Sequence, residues 1–306
     1  MTRDIAASVH RRLLNHARAT GRPFNEVLQY YALNRFLYRL SQSRHREHFI
    51  LKGALMLAAW DAPIARPTRD IDLLGRLPNL PDMVAGAMQD LCDLAVEEDG
   101  LVFDAASLSV EQTMEGAHYQ GVRVRLMGYL GKARIPMQID VGFGDALVPA
   151  PEEVRLPSVL DLAPATILGY SRESVIAEKL QIMVSLGQVN SRLKDYYDLW
   201  LLAKRYSFSG PLLARAVRST FERRHTPIIF PIPALDEAFA DTARETQWRA
   251  FLRRIQMVEP QTLREAIHVI APFALPVLES IADAESFEAH WVPEGPWSNE
   301  QILWRD

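Results

Sequence analysis

RPTRDIDLLG, residues 66–75, is the stretch on which the fold turns. Ile71, Leu73 and Leu74 read as a strand that wants a core, yet Asp70 and Asp72 stand two residues apart within it. Side chains two apart on a strand point to the same face. The two carboxylates therefore share one side, and Ile71 and Leu73 share the other. Like charges set together cost electrostatic energy unless a cation joins them. Magnesium is a hard cation that takes one or two carboxylates plus substrate phosphates. The plainer alternative is an edge strand that uses charges to block further pairing.

A third carboxylate has a similar setting. In IPMQIDVGFGD, residues 135–145, Met137, Ile139 and Val141 face one way, and Gln138 and Asp140 the other. If this strand neighbours the first, Asp140 joins Asp70 and Asp72. Three carboxylates on adjacent strands can hold two metal ions for in-line phosphoryl chemistry. LKGALML, residues 51–57, sets Gly53 between a strand and a helix-like run. A backbone can approach a phosphate closely there, and a helix N-terminus favours anions. Arg66, Thr68 and Arg69 precede the acids and are candidates for triphosphate oxygens. A simple strand–helix turn is the alternative use of Gly53.

Further along, ESVIAEKLQIMVSLGQVNSRLKDYYDLWLL spans residues 173–202. Ile176, Lys179, Leu180 and Met183 fall on one helical face. Lys179 is thus placed on the apolar side, where an unpaired lysine is rare. Its partner is a phosphate or a nearby carboxylate; otherwise its stem snorkels to water. Asp195 falls inward with Leu199 and Leu202, and Asp198 lies beside it, so either acid can anchor Lys179 or Arg192.

These blocks carry a resemblance. LKGALML…RPTRDIDL closely resembles the start of the AbiEii family, the nucleotidyltransferase-like toxins of type IV toxin–antitoxin systems, which include the MenT toxins. The later stretch is similar to that family's E-x-x-x-A-x-K and R-x-K-D-x-x-D motifs. The basic run NRFLYRLSQSRHREHFILKG, residues 34–53, belongs to the same likeness. The resemblance implies an α+β fold: a DNA-polymerase-β-like nucleotidyltransferase core with a mixed sheet, followed by a helical domain. It implies Asp70, Asp72 and Asp140 as catalytic magnesium ligands, with one or two ions. Lys52, Gly53 and Ala54 would meet the nucleotide. Ala54 replaces a residue that carries a hydroxyl in many transferases of this fold, so that contact is absent. Lys179 would bind triphosphate, with Asp195 and Asp198 in the catalytic set. The implied substrates are an NTP and RNA, with the tRNA 3′ acceptor end as the target and a block of translation as the result. A cognate antitoxin is the implied partner. An antibiotic-type transferase acting on a small molecule and a catalytically silent nucleic-acid-binding module are the competing readings.

The rest of the chain sets bounds. Its 306 residues are 48% apolar, with 34 Lys and Arg against 38 Asp and Glu, a formal charge of −4. One cysteine, Cys92, excludes an internal disulfide. The first residues lack a signal-peptide core, and no run is read as the roughly 18 apolar residues of a membrane span. A cytoplasmic protein without a membrane role is expected. The charge is uneven: residues 1–52 hold ten Lys or Arg and three acids, and residues 77–120 hold nine acids and no Lys or Arg. Arg35 and Arg39, one helical turn apart, with Arg44 and Arg46, are therefore expected to face outward toward RNA phosphates. The alternative pairs them with the acids of 77–120.

Periodicity predicts helices through residue 48, a strand at 49–52, and a helix over 80–98. Strands follow at 121–130 and 134–144, joined by a tight turn at 131–133. Pro149, Pro151, Pro157 and Pro164 mark 149–165 as a linker. The expected domains are 1–150, the nucleotidyltransferase with its N-terminal helices, and 166–306, helical.

Overall fold

The computed structural model describes residues 4–60, 68–115 and 119–299. The chain divides into two units: Met1–Asp145 with Pro151–Tyr170, and Ala146–Ala150 with Ser171–Asp306.

The first unit opens on α1 (Ile5–Thr20). Asp4 caps it by accepting from the Ala7 amide at 3.0 Å, and Gly21 ends it at φ 68, the left-handed cap that glycine adopts without strain. Then come α2 (Phe24–Gln42), β1 (Phe49–Lys52), the one-turn α3 (Leu55–Ala59), β2 (Asp70–Gly75) and α4 (Pro81–Asp93). The unit continues with β3 (Leu101–Glu115), β4 (Tyr119–Leu130), β5 (Ala133–Phe143), β6 (Glu152–Leu156) and β7 (Ala165–Gly169). The strands form one mixed sheet in the order β3–β4–β5–β2–β1–β7–β6. β2 runs parallel to β5 and β1 parallel to β7, and the other pairs are antiparallel.

Helix α2 packs on β7 and β5, α4 on β3, and α1 on α2 and β4. The core beneath them is built from alternate strand residues: Leu51, Ile71, Leu73, Val122, Val124, Ile139 and Val141, all buried. Each such side chain contributes about 1.5–3 kcal/mol by leaving water. A slip of one residue would turn the whole set outward, so the core fixes the register. The register in turn decides where the carboxylates lie.

Three expectations are corrected here. The stretch 149–165 is not a linker: it supplies β6 and β7. Pro157 follows β6 directly and Pro164 precedes β7, positions where a strand needs no ladder N–H. The first unit consequently runs to Tyr170 rather than ending at 150. The helix expected over 80–98 stops at Asp93, leaving 94–100 as a loop that carries Glu97 and Asp99.

The second unit comprises α5 (Arg172–Leu186), α6 (Leu193–Arg205), β8 (Phe208–Ser209), α7 (Gly210–Arg223), α8 (Thr242–Ile255), α9 (Leu263–Ala282), β9 (His290–Trp291) and β10 (Trp297–Ser298). Ser171 caps α5 by accepting from the Ser174 amide at 3.1 Å. α5 packs on α7, and α9 on α6, α7 and α8. α9 is long and apolar enough to cross a membrane by length and composition, contrary to the reading that no run is. In this unit it is the central helix, with Ile267, Ile270, Phe273, Val277 and Leu278 buried.

Candidate active site

Four strands bring their charges into one row. Arg123 of β4 lies opposite Asp140 of β5, Asp140 opposite Asp72 of β2, and Asp72 opposite Lys52 of β1. One step along, Arg125, Gln138 and Asp70 form a second row. Directly opposed residues project from the same side of a sheet. These side chains therefore stand on the face opposite the Val–Ile–Leu core. The sequence expectation that Asp140 would join Asp70 and Asp72 is met at the level of register.

Gly53 explains its own presence. It follows β1 at φ 72, and a Cβ built on it would lie 2.0 Å from Asp72 Oδ2. Any side chain there would collide with the carboxylate, and the left-handed backbone would strain it besides. Beside it, Lys52 Nζ donates to Asp145 Oδ2 at 2.8 Å, and the Tyr170 hydroxyl donates to the same oxygen at 3.1 Å. Lys52 and Asp145 are both largely buried. Sequence reasoning missed Asp145 and Tyr170. The available signal was an acid just past the end of β5, in GFGD, five residues after the expected ligand Asp140.

Asp140 is held firmly. Arg123 Nε donates to its Oδ1 at 2.6 Å, Arg123 Nη2 to its Oδ2 at 3.1 Å, and Gln138 Nε2 to Oδ2 at 3.0 Å. The hydrogen bond to Asp140 raises the Arg123 pKa above its ordinary value. Burial opposes the shift, and the charges of Asp140, Glu111 and Asp70 reinforce it. Asp70 and Asp72, oxygen donors on one strand face with a glycine backbone pressed against one of them, fit a hard cation. Asp140 sits beside them and already accepts from Arg123 and Gln138. Among the described residues, no group of three or more His, Cys, Asp or Glu is gathered as a metal cage.

The remaining nucleotide candidates divide. Arg66 lies outside the described residues. Thr68 folds onto its own strand: its hydroxyl donates to the Asp70 carbonyl at 3.2 Å and accepts from the Asp70 amide at 3.4 Å. Arg69 is exposed. Ala54 caps α3, a helix of five residues. A single turn builds little macrodipole, so the phosphate argument from a helix N-terminus loses its footing there.

In the second unit, Lys179 meets carboxylates. Its Nζ donates to Asp195 Oδ1 at 2.7 Å and Asp198 Oδ2 at 2.8 Å, and Arg192 Nε donates to Asp195 Oδ2 at 2.8 Å. Both acids are buried, 1% exposed. Burial pushes the Asp195 carboxyl up, but Lys179 and Arg192 outweigh it and hold it at about 2. The inward placement of Lys179, Asp195 and Asp198 read from the helical pattern is correct. Asp195 anchors both cations and Asp198 anchors Lys179.

The outward placement of Arg35 and Arg39 is overturned. Arg35 is 0% and Arg39 5% exposed. Arg35 Nε and Arg39 Nη1 both reach Asp99 Oδ2, at 3.0 and 2.7 Å, and Arg35 Nη2 reaches Glu97 at 3.0 Å. Burial would raise the Asp99 carboxyl; Arg39, the Leu101 amide and Arg35 together lower it. The acids of 77–120 thus answer the basic N-terminus, as the alternative had it. Arg44 and Arg46 remain nearer the surface, paired with Asp90 and Glu153.

The chain matches the model of the family described as nucleotidyl transferase AbiEii toxin, Type IV TA system, over residues 35–275. No curated protein matches it. Among solved structures it is similar to JHP933 from Helicobacter pylori: 13% identity, 89% of this chain and 94% of that one covered, TM-score 0.43. A second protein of Helicobacter pylori, proposed as a nucleotidyltransferase, gives 14% identity, 90% and 98% coverage and a TM-score of 0.42. The family match, not these two likenesses, identifies the chain.

Proposed function

The chain belongs to the AbiEii family of nucleotidyl transferase toxins of type IV toxin–antitoxin systems, and on that premise we propose that it moves a nucleotide from an NTP onto RNA in a magnesium-dependent reaction. The tRNA 3′ acceptor end is the proposed target, a halt to translation in the cytoplasm the consequence, and a cognate antitoxin the restraint. One observation supports the chemistry most: Asp70 and Asp72 share a face of β2, with the Gly53 backbone against Asp72 and Asp140 opposite it.

Asp70 and Asp72 would hold magnesium, which supplies charge neutralisation on a triphosphate. Lys52, fixed by Asp145 and Tyr170, offers an ammonium at the edge of the same row. Gly53 lets the β1 backbone and the Asp72 carboxylate lie together without a side chain between them. Such a site works by positioning and fixed electrostatics.

A second reading, transfer to a small molecule, is favoured by the burial of Arg35 and Arg39. Buried as they are, those arginines offer no footprint for RNA phosphates. Incubation with total tRNA and each labelled NTP in magnesium separates the two. Label on tRNA supports the RNA reading; label transferred to small acceptors and never to RNA supports the other.

A further inference from the structure

We propose that the Arg123 guanidinium is the resident counter-cation of the Asp70–Asp72–Asp140 face and competes with metal for it. The proposal rests on the metal reading above. Three carboxylates on neighbouring strands repel one another, and a fixed cation relieves that as a divalent ion would. Arg123 stands in register on the strand beside Asp140 and grips both its oxygens in the fork geometry that suits a carboxylate. Gln138 adds a third bond to the same group.

The bonds of Arg123 go to Asp140, and its charge also acts on Asp70 and Glu111. Its neighbour on the same strand face, Arg125, is occupied elsewhere, on Glu111 at 2.9 Å. The Arg123–Asp140 pair is open to solvent, and so to an incoming ion: the Arg123 side chain is 33% exposed and that of Asp140 27%. An arginine does not deprotonate in this range, so it leaves by being displaced, not by titration. Two consequences follow. The fold of this face does not require metal, and metal affinity lies below what three unopposed carboxylates would give.

The test uses the full-length chain and manganese as the magnesium probe, with calorimetric titration and thermal unfolding in chelator and in manganese. Arg123→Gln is expected to bind manganese about tenfold more tightly than the unmodified chain. That is the scale one unit charge a few ångströms away exerts at a partly exposed site. Its Tm should be lower in chelator, and its manganese-induced rise in Tm larger. Equal or weaker manganese binding by Arg123→Gln, while the unmodified chain binds, overturns the competition and leaves the metal reading standing. If neither binds, and Asp70→Asn with Asp72→Asn changes nothing, the metal reading itself falls and this proposal with it. Should Arg123→Gln fail to fold, Arg123→Gln with Asp140→Asn removes the pair together. That variant should bind manganese more tightly than Asp140→Asn alone, because the competing cation is gone; equal or weaker binding than Asp140→Asn would overturn the proposal.

Discussion

Gly53 and Asp72 are in contact so close that no side chain fits between them: a Cβ on the glycine would lie 2.0 Å from Asp72 Oδ2. Gly53→Ala should therefore lose stability on two counts. The left-handed backbone at φ 72 costs about 1–2 kcal/mol for a non-glycine residue, and the new methyl displaces the carboxylate. Nucleotide transfer should fall far more than Tm. An active Gly53→Ala protein would mean that the position of Asp72 is not critical.

Asp145, which the sequence reading passed over, accepts from Lys52 Nζ at 2.8 Å and holds it in place. Asp145→Asn should leave a folded protein that binds NTP more weakly, with a smaller change in turnover. Tyr170→Phe removes one neutral donor and should have a lesser effect, of about 1 kcal/mol or less. Equilibrium binding of a fluorescent NTP to each variant checks this. Unchanged affinity in Asp145→Asn would return the Lys52–Asp145 pair to a purely structural role.

Lys179→Met should unfold much more readily than the unmodified chain, because it takes from the buried Asp195 and Asp198 the ammonium that both accept from. Breaking a buried pair from one side costs about 3–5 kcal/mol. The pH dependence has a definite sign. Asp195 has a folded pKa of about 2 against an unfolded value of about 3.9. The stability it contributes is complete above the unfolded value and is lost as pH falls from about 4 toward 2. Lys179→Met should flatten that acid limb. Lys179→Arg, which keeps the charge, separates a phosphate role from the structural one: it should restore stability, and any remaining loss of NTP affinity belongs to the phosphate.

Arg35 and Arg39 converge on Asp99, and Asp99→Asn leaves two buried guanidiniums short of their counter-charge. A loss of about 3–5 kcal/mol is expected. Arg35→Ala with Arg39→Ala should lower Tm and leave the salt dependence of RNA binding as it was. A slope of log affinity against log salt reduced by roughly 0.7–0.9 per arginine would show instead that these residues meet phosphates.

The parts of the fold that sequence revealed are those with unbroken alternation. β2, β4 and β5 read cleanly because Ile71, Leu73, Val122, Val124, Ile139 and Val141 alternate with polar residues, and Gly131 at φ 58 marks the hairpin turn between β4 and β5. β3 escaped because its pairing with β4 shifts register between Asp104 and Ser109, which interrupts the period of two. β6 and β7 escaped because prolines bracket them. In the site, the carboxylates announced themselves as charges in an apolar strand. The partners of those charges did not: α2 buries residues around most of its circumference, Arg35 and Arg39 included, so spacing on its surface could not tell an outward arginine from one drawn inward by a distant loop. Arg123, Asp145 and Asp99 are matched to their partners by strand register and loop closure, which no local pattern encodes.

Asp70 and Asp72 are proposed to hold together the metal for nucleotide transfer. The direct measurement is transfer of labelled NTP to total tRNA by the unmodified chain, Asp70→Asn and Asp72→Asn, each with magnesium and with excess chelator, alongside the Tm of each protein. Label is expected only for the unmodified chain in magnesium, with the variants folded and their Tm in chelator equal or higher, since a like charge has been removed. Transfer by either folded variant, or transfer that persists in chelator, would contradict it.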